Sequence, residues 1–246
     1  MRVARLTALV LALTLAAPAH ADLKAGLAAY DAEYWETALR ELLPEAEAGN
    51  AEAQYRVGRM YRRGLSVPVD VDLALKWYGA GARNGSNKAM YGLALMYDVG
   101  EQVPKDLARA ECWYRLSAER GHSPSQFVLG DLVHKRFQWT ESEYWWNRAM
   151  AQGDAYAFYN EGRAQLWNPL REDKTEAYKM LLLAADRGMQ SAIEVVARIR
   201  ALGLSEIRQR QFDEARRLAD AWAAVPEPQI ATPPDDIPQA CLDAAS

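Results

Sequence analysis

Three histidines and two cysteines are all that this sequence offers to metal or thiol chemistry. They are His20, His122, His134, Cys112 and Cys241, too few and too scattered for a zinc site of three or four ligands. No Cys-x-x-Cys, His-Glu-x-x-His, Gly-x-Ser-x-Gly or Ser-x-x-Lys spacing occurs, so neither a metalloprotease nor a serine acylase pattern is present. The 33 acidic side chains fall at helix starts and on polar faces, where solvated charge is the simplest reading. His122 follows a helix-ending glycine and reads as a surface turn residue. The sequence therefore predicts a non-enzymatic protein with no cofactor and no metal.

Two side-chain classes remain that could act in recognition, aromatic rings and arginines, and their spacing leads to the elements that carry them. Tyr55, Arg59 and Arg62 fall at i, i+4, i+7 of one helical pattern. The same spacing returns in Tyr91, Leu95, Asp98, then in Phe127, Asp131, His134, then in Tyr159, Arg163, Leu166. Arg63, Lys88 and Lys135 add positive charge beside these rows. The rows recur because the chain itself does. Residues 51–61 return in 87–97, 36 positions on, and Gly49, Gly85 and Gly121 keep that interval, as do Trp77-Tyr78 and Trp113-Tyr114.

Each unit reads as two antiparallel helices. The first carries Ala53, Val57 and Tyr61 on one face, with Gly58 or Gly130 admitting a close neighbour. Gly64 and Gly100 end it, and Pro68 and Pro104 stop the chain from continuing as helix. The second opens after Asp70 or Asp106, whose carboxylate can cap backbone amides, and turns Ala74, Trp77, Tyr78 and Ala82 inward. Later units are eroded: Gly153 follows Gly121 by 32 residues and Gly188 follows by 35 more, with Met180 where tryptophan stood before. No segment alternates with period two, so no sheet is expected.

The resulting organisation is a helical lead-in over 22–50, about four repeats over 51–204, a capping helix over 205–224 and a proline-rich, disordered tail over 225–246. Within the lead-in, Tyr30, Tyr34, Ala38, Leu42 and Leu43 form the apolar set. Trp77, Trp113, Trp145 and Trp146 recur at an inward position and read as core, whereas Trp139 and Trp167 stand outside the repeat frame and are candidates for exposed contacts.

Residues 1–21 have the form of a secretory signal peptide: Arg2 and Arg5, an uncharged run from Leu6 to Ala17, and Ala19-His20-Ala21 before a cleavage point at Asp22. The run is short for a membrane span, although retention as an anchor remains the alternative. Removing it takes Arg2 and Arg5 from 29 basic residues, leaving 27 against 33 acidic and a net charge of −6. Such a balance disfavours nucleic acid and anionic membrane as partners. Export to the periplasm of a Gram-negative bacterium, or secretion, follows from the leader. In that compartment Cys112 and Cys241 could pair, but a buried reduced Cys112 with an intermolecular Cys241 fits the composition equally.

These units resemble the Sel-one-like repeat family, relatives of the tetratricopeptide repeats. The resemblance rests on Ala51-x-Ala53-x-Tyr55-x-Val57-Gly58, on Gly100-x-x-Val103-Pro104-x-Asp106 and on Ala74-x-x-Trp77-Tyr78, and it covers roughly residues 25–202. It departs from the pattern at Phe137 to Thr140 and at Trp167 to Glu172. The resemblance implies an all-α, right-handed superhelical solenoid of antiparallel helix pairs, used as a scaffold or adaptor that holds a peptide or protein segment in its concave groove. On that basis Tyr55, Arg59, Arg62, Arg63, Lys88, Tyr91, Phe127, Asp131, His134, Lys135, Tyr159 and Arg163 are the candidate groove residues, fitted to a partner segment bearing carboxylates. The same ring positions match the family's recurrent tyrosine, which packs one helix on the next. Two other function classes stay open: a cell-envelope hydrolase acting on peptidoglycan-like or β-lactam substrates, and a structural subunit using the convex face.

Overall fold

The computed structural model describes residues 22–100, 103–202, 204–225, 227, 229, 234 and 236–242. The leader expected over 1–21 lies outside the described residues. Among them every regular element is helical: α1 (Leu23–Asp31), α2 (Trp35–Glu47), α3 (Ala51–Arg63), α4 (Val71–Arg83), α5 (Asn87–Val99), α6 (Leu107–Glu119), α7 (Ser123–His134), α8 (Trp139–Ala151), α9 (Ala155–Trp167), α10 (Thr175–Asp186), α11 (Gln190–Ala201), α12 (Glu206–Asp220) and the short α13 (Gln239–Leu242).

Consecutive helices pack as pairs from α1·α2 to α9·α10, and each second helix then meets the first helix of the next pair. This nearest-neighbour stacking is the contact pattern of a solenoid, in which no pair buries its apolar face alone. The lead-in is itself such a pair. Tyr30, Ala38 and Leu42 are buried there, but Tyr34 is 69% exposed. Glu33 takes φ +62 and breaks the helix, which leaves Tyr34 in the turn and not on the apolar face.

Local chemistry fixes the joints. Gly64 and Gly100 end α3 and α5 in the left-handed region, at φ +69 and +73. Asp70 and Asp106 then accept hydrogen bonds from the amides of Leu73 and Arg109, 2.8 and 2.9 Å away, and so cap α4 and α6. Where the third unit has lost that linker, Phe137 itself adopts φ +63. In the fourth, Lys174 replaces linker chemistry with charge: it is 4% exposed, and its Nζ donates to the carbonyls of Gln165 and Asn168 at 3.2 and 2.6 Å. A cation there meets the negative end of the α9 dipole and satisfies carbonyls at that end of the helix.

The core is a chain of small clusters, as the stacked pairs require. Trp77, Trp113, Trp145 and Trp146 are all buried. Tyr78 wedges between consecutive first helices, because a Cβ at Gly58 of α3 would lie 2.8 Å from its ring and one at Gly92 of α5 would lie 3.0 Å away. At the far end α12 lays Phe212 against Tyr178 of α10, ring centroids 5.4 Å apart, and buries Ala215 and Ala219.

Composition predicts a disordered tail over 225–246, and its described residues depart from that. The Val225 amide donates to the Ala151 carbonyl at 2.8 Å. Glu227 pairs with Arg148, Gln229 donates to the Gly121 carbonyl, and Cys241 is joined to Cys112 by a disulfide with Cα atoms 5.2 Å apart. Ile237 packs with the α4–α6 cluster. A charge pair and a covalent tether thus offset the ordering entropy that a proline-rich tail would otherwise keep.

Candidate binding surface on the first helices

The four rows placed on first helices do not form a stacked ladder. Tyr55 stacks on Tyr78 at 6.1 Å, Tyr91 meets Tyr114 at 5.6 Å and the His122 ring at 5.4 Å, and Phe127 meets Tyr156 at 5.6 Å. Tyr55, Tyr91 and Phe127, the heads of these rows, are half-buried, and each packs its helix on another. His122 is accordingly no surface turn residue. Its ring is half-buried on Tyr91, and burial followed by the nearby Lys88 charge pulls its pKa down to about 4.

Positive charge is redistributed in the same way. Lys88 lies 3.2 Å from Glu52 and Lys135 lies 2.6 Å from Asp131, so both are matched locally. Arg62 donates to the Tyr78 hydroxyl, whose pKa burial pushes up to about 12. Arg59 stands 5.8 Å from the Tyr30 ring and Arg163 stands 5.3 Å from the Tyr159 ring. Arg59, Arg63 and Arg163 have no carboxylate within 4 Å among the described residues. Of the candidate groove cations, these three are left available to a partner.

The structure does bring one subset of the candidates together. α8 packs less extensively on α9 than each earlier second helix packs on the helix that follows it, and a cavity of about 300 Å³ opens there. Asp131, His134 and Arg163 line it with Trp146, Asn160 and Trp167. A second cavity of about 220 Å³ shares the His134 and Trp146 walls and adds Trp139, Glu161 and Arg171. His134 is held between the two indoles, 4.6 Å from Trp139 and 4.8 Å from Trp146. The sequence signal for this opening is the pair of tryptophans outside the repeat frame, for Trp139 is 52% and Trp167 74% exposed. Asn160, Glu161 and Arg171 carry no such signal, since polar residues on a helix surface are common.

Two serine–histidine contacts bear on hydrolysis. His122 Nδ1 is 2.9 Å from Ser125 Oγ, but Ser125 is fully buried and its hydroxyl donates to Ser117 Oγ at 2.8 Å. His134 Nδ1 is 3.4 Å from Ser142 Oγ, whose proton goes to the Trp139 carbonyl at 3.0 Å. In each pair another acceptor, the Ser117 hydroxyl or the Trp139 carbonyl, competes with the imidazole for the hydroxyl proton that a nucleophile must pass to its base. Among the described residues no cluster of metal-ligating side chains occurs, and no helix is long and apolar enough to cross a membrane.

Stacked helix pairs with glycine-ended joints and an aspartate cap define an α-helical repeat solenoid. The Sel1 repeat model matches residues 51–86, 87–122 and 156–189, so these three units are Sel1 repeats. The stretch between the second and third matches still folds as the α7–α8 pair. A Sel1 repeat protein from Oxalobacter formigenes is a similar solved structure, with 26% identity, 79% of this chain and 82% of that one covered, and a TM-score of 0.64. Another is c5321, a protective antigen present in uropathogenic Escherichia coli strains and displaying an SLR fold: 24% identity and a TM-score of 0.62, over 80% of this chain but 44% of that one. This second likeness speaks to fold alone. No curated protein matches the chain. Sel1 repeat proteins generally serve as scaffolds for protein–protein interaction.

Proposed function

We propose that this protein is an exported scaffold of the cell envelope, periplasmic in a Gram-negative bacterium, that holds a carboxylate-bearing segment of a partner protein along its first helices. The opening between α7 and α9 carries this reading, because side chains from two successive repeats, Asp131 and His134 on one and Arg163 on the next, converge there beside an exposed indole. An indole and an unpaired arginine at the mouth of a cavity are the residue types that dominate protein interfaces. Arg59 and Arg63 extend the positive charge toward the N-terminal end. The leader read from residues 1–21 supports export, and amino-terminal sequencing of protein from its native host should begin at Asp22.

Affinity capture from intact envelopes tests the binding reading. Arg163→Glu, and separately Arg59→Glu with Arg63→Glu, should each weaken capture of the principal partner at low salt while the helical circular dichroism spectrum is unchanged. Undiminished capture by both variants across a salt series would remove the first-helix surface from consideration.

A further inference from the structure

The described tail residues lie on a prepared seat. Arg148 of α8 pairs through two guanidinium nitrogens with both carboxylate oxygens of Glu227, with Nε 3.1 Å from Oε2. The guanidinium is already positioned by the Tyr144 hydroxyl, 2.9 Å away, and by the Trp145 ring, 5.2 Å away. Beneath it, Gln126 is fully buried and gives Glu227 a further hydrogen bond of 2.7 Å. The orientation of that amide is fixed by two other bonds, to the Ala118 carbonyl at 3.1 Å and from Gln152 at 2.7 Å. One repeat earlier Asn87, itself buried, donates to the Gln229 side-chain carbonyl at 3.1 Å, while Gln229 donates to the Gly121 carbonyl.

Contacts at 225, 227 and 229 come at every second position, the period of an extended strand, and cross from one repeat to the one before it. The residues between them in the sequence are Pro226 and Pro228, which have no N–H to satisfy. Gln126 and Gln152 have counterparts at Gln54 and Asn84: Gln54 donates to the Ala46 carbonyl at 2.9 Å and accepts from Asn84 at 2.9 Å. Only the later copy has Arg148 above it, so the repeat module has been elaborated into a carboxylate clamp at one place. That clamp is in the first turn of α7, whereas His134 of the first-helix cavity is eight residues on, about 12 Å along the axis.

We propose that this edge, formed by Asn87, Gln126, Arg148 and Gln152, is a second recognition site, for an extended segment of another protein with glutamate and glutamine two positions apart, each preceded by proline. The chain's own Glu227 and Gln229 occupy it in cis. Such an occupant, connected directly to α12 at one end and to Cys112 through Cys241 at the other, competes at the millimolar effective concentration of a short tether, so an incoming segment must match it and displace it. The site shares no residue with the α7–α9 cavity and stands or falls separately from it.

Fluorescence anisotropy of a labelled synthetic peptide with the sequence of residues 223–231 tests this on the full chain. Glu227→Lys with Cys241→Ser places like charge on Arg148 and releases the tether, and should bind the peptide at least about tenfold more tightly than the unaltered protein. Adding Arg148→Ala to that variant, or replacing the peptide's glutamate by glutamine, should take back about tenfold or more. Absence of binding by the released variant, with its melting temperature showing a folded chain, overturns the proposal, as does equal binding by the released and the unaltered protein. Disulfide-linked dimers of the unaltered protein would also overturn it, assigning the seat to the tail of a second copy.

Discussion

Gly130 of α7 lies flat against the indole of Trp146 on α8, so close that a Cβ built at 130 would fall 2.4 Å from the ring's Cδ1 and 2.6 Å from its Nε1. The indole is itself buried, and its Nε1 has no hydrogen-bond partner among the described residues, because it faces the helix backbone across this contact. One missing methyl group therefore sets the spacing of the α7–α8 pair.

Gly130→Ala should cost about 1–3 kcal/mol through overpacking, even though alanine is the better helix former. Urea denaturation of the variant checks this. A gain in stability would show that α7 and α8 can move apart freely.

Trp113→Ala should cost about 3–5 kcal/mol, since the ring is 4% exposed and its removal leaves a cavity in the core. A loss below about 1 kcal/mol in thermal or urea unfolding would place this ring outside the core.

Lys174→Met keeps the length of the side chain and removes its ammonium, leaving the Gln165 and Asn168 carbonyls only the longer bonds from the Asn168 and Arg171 amides, 3.4 and 3.3 Å away. The expected loss is about 1–3 kcal/mol, concentrated at the α9–α10 joint, where amide hydrogen exchange should quicken before the rest of the chain is affected. Uniform exchange across all helices would contradict a local role.

His122 makes the fold acid-sensitive. Its folded pKa of about 4 lies below the ordinary 6.5, so between those values the unfolded chain takes up a proton that the folded chain refuses. Stability contributed by the neutral ring is complete above pH 6.5 and is lost as pH falls toward 4, at a slope approaching about 1.4 kcal/mol per pH unit. His122→Asn should flatten melting temperature over that window relative to the unaltered chain. An unchanged slope would move the acid sensitivity to other groups.

The 36-residue frame made α3 to α6 legible with their joints, because glycine, proline and aspartate each leave a local signature that needs no tertiary knowledge. The α7–α8 pair was legible through Gly130, Trp145, Trp146 and Gly153, but its joint was not, because Phe137 stands in the left-handed turn where glycine stood before. Lys174 was invisible for a physical reason: a lysine among polar residues reads as solvated until a helix end is brought over it. Of the candidate groove, the spacing placed Asp131, His134 and Arg163 on one stripe, but it could not show that Lys88 would be neutralised, since Glu52 is a full repeat away. Glu227 and Arg148 are 79 residues apart, and no periodicity connects them.

The link between Cys112 and Cys241 spans 129 positions and turns the C-terminal half of a linear array into a covalent ring. Open arrays fray from both ends, each terminal unit having one neighbour. Here the last units are stapled back to the middle, so unzipping has only the N-terminal end from which to start. A protease that cuts once anywhere inside the ring releases nothing: the two pieces stay together until a reductant separates them.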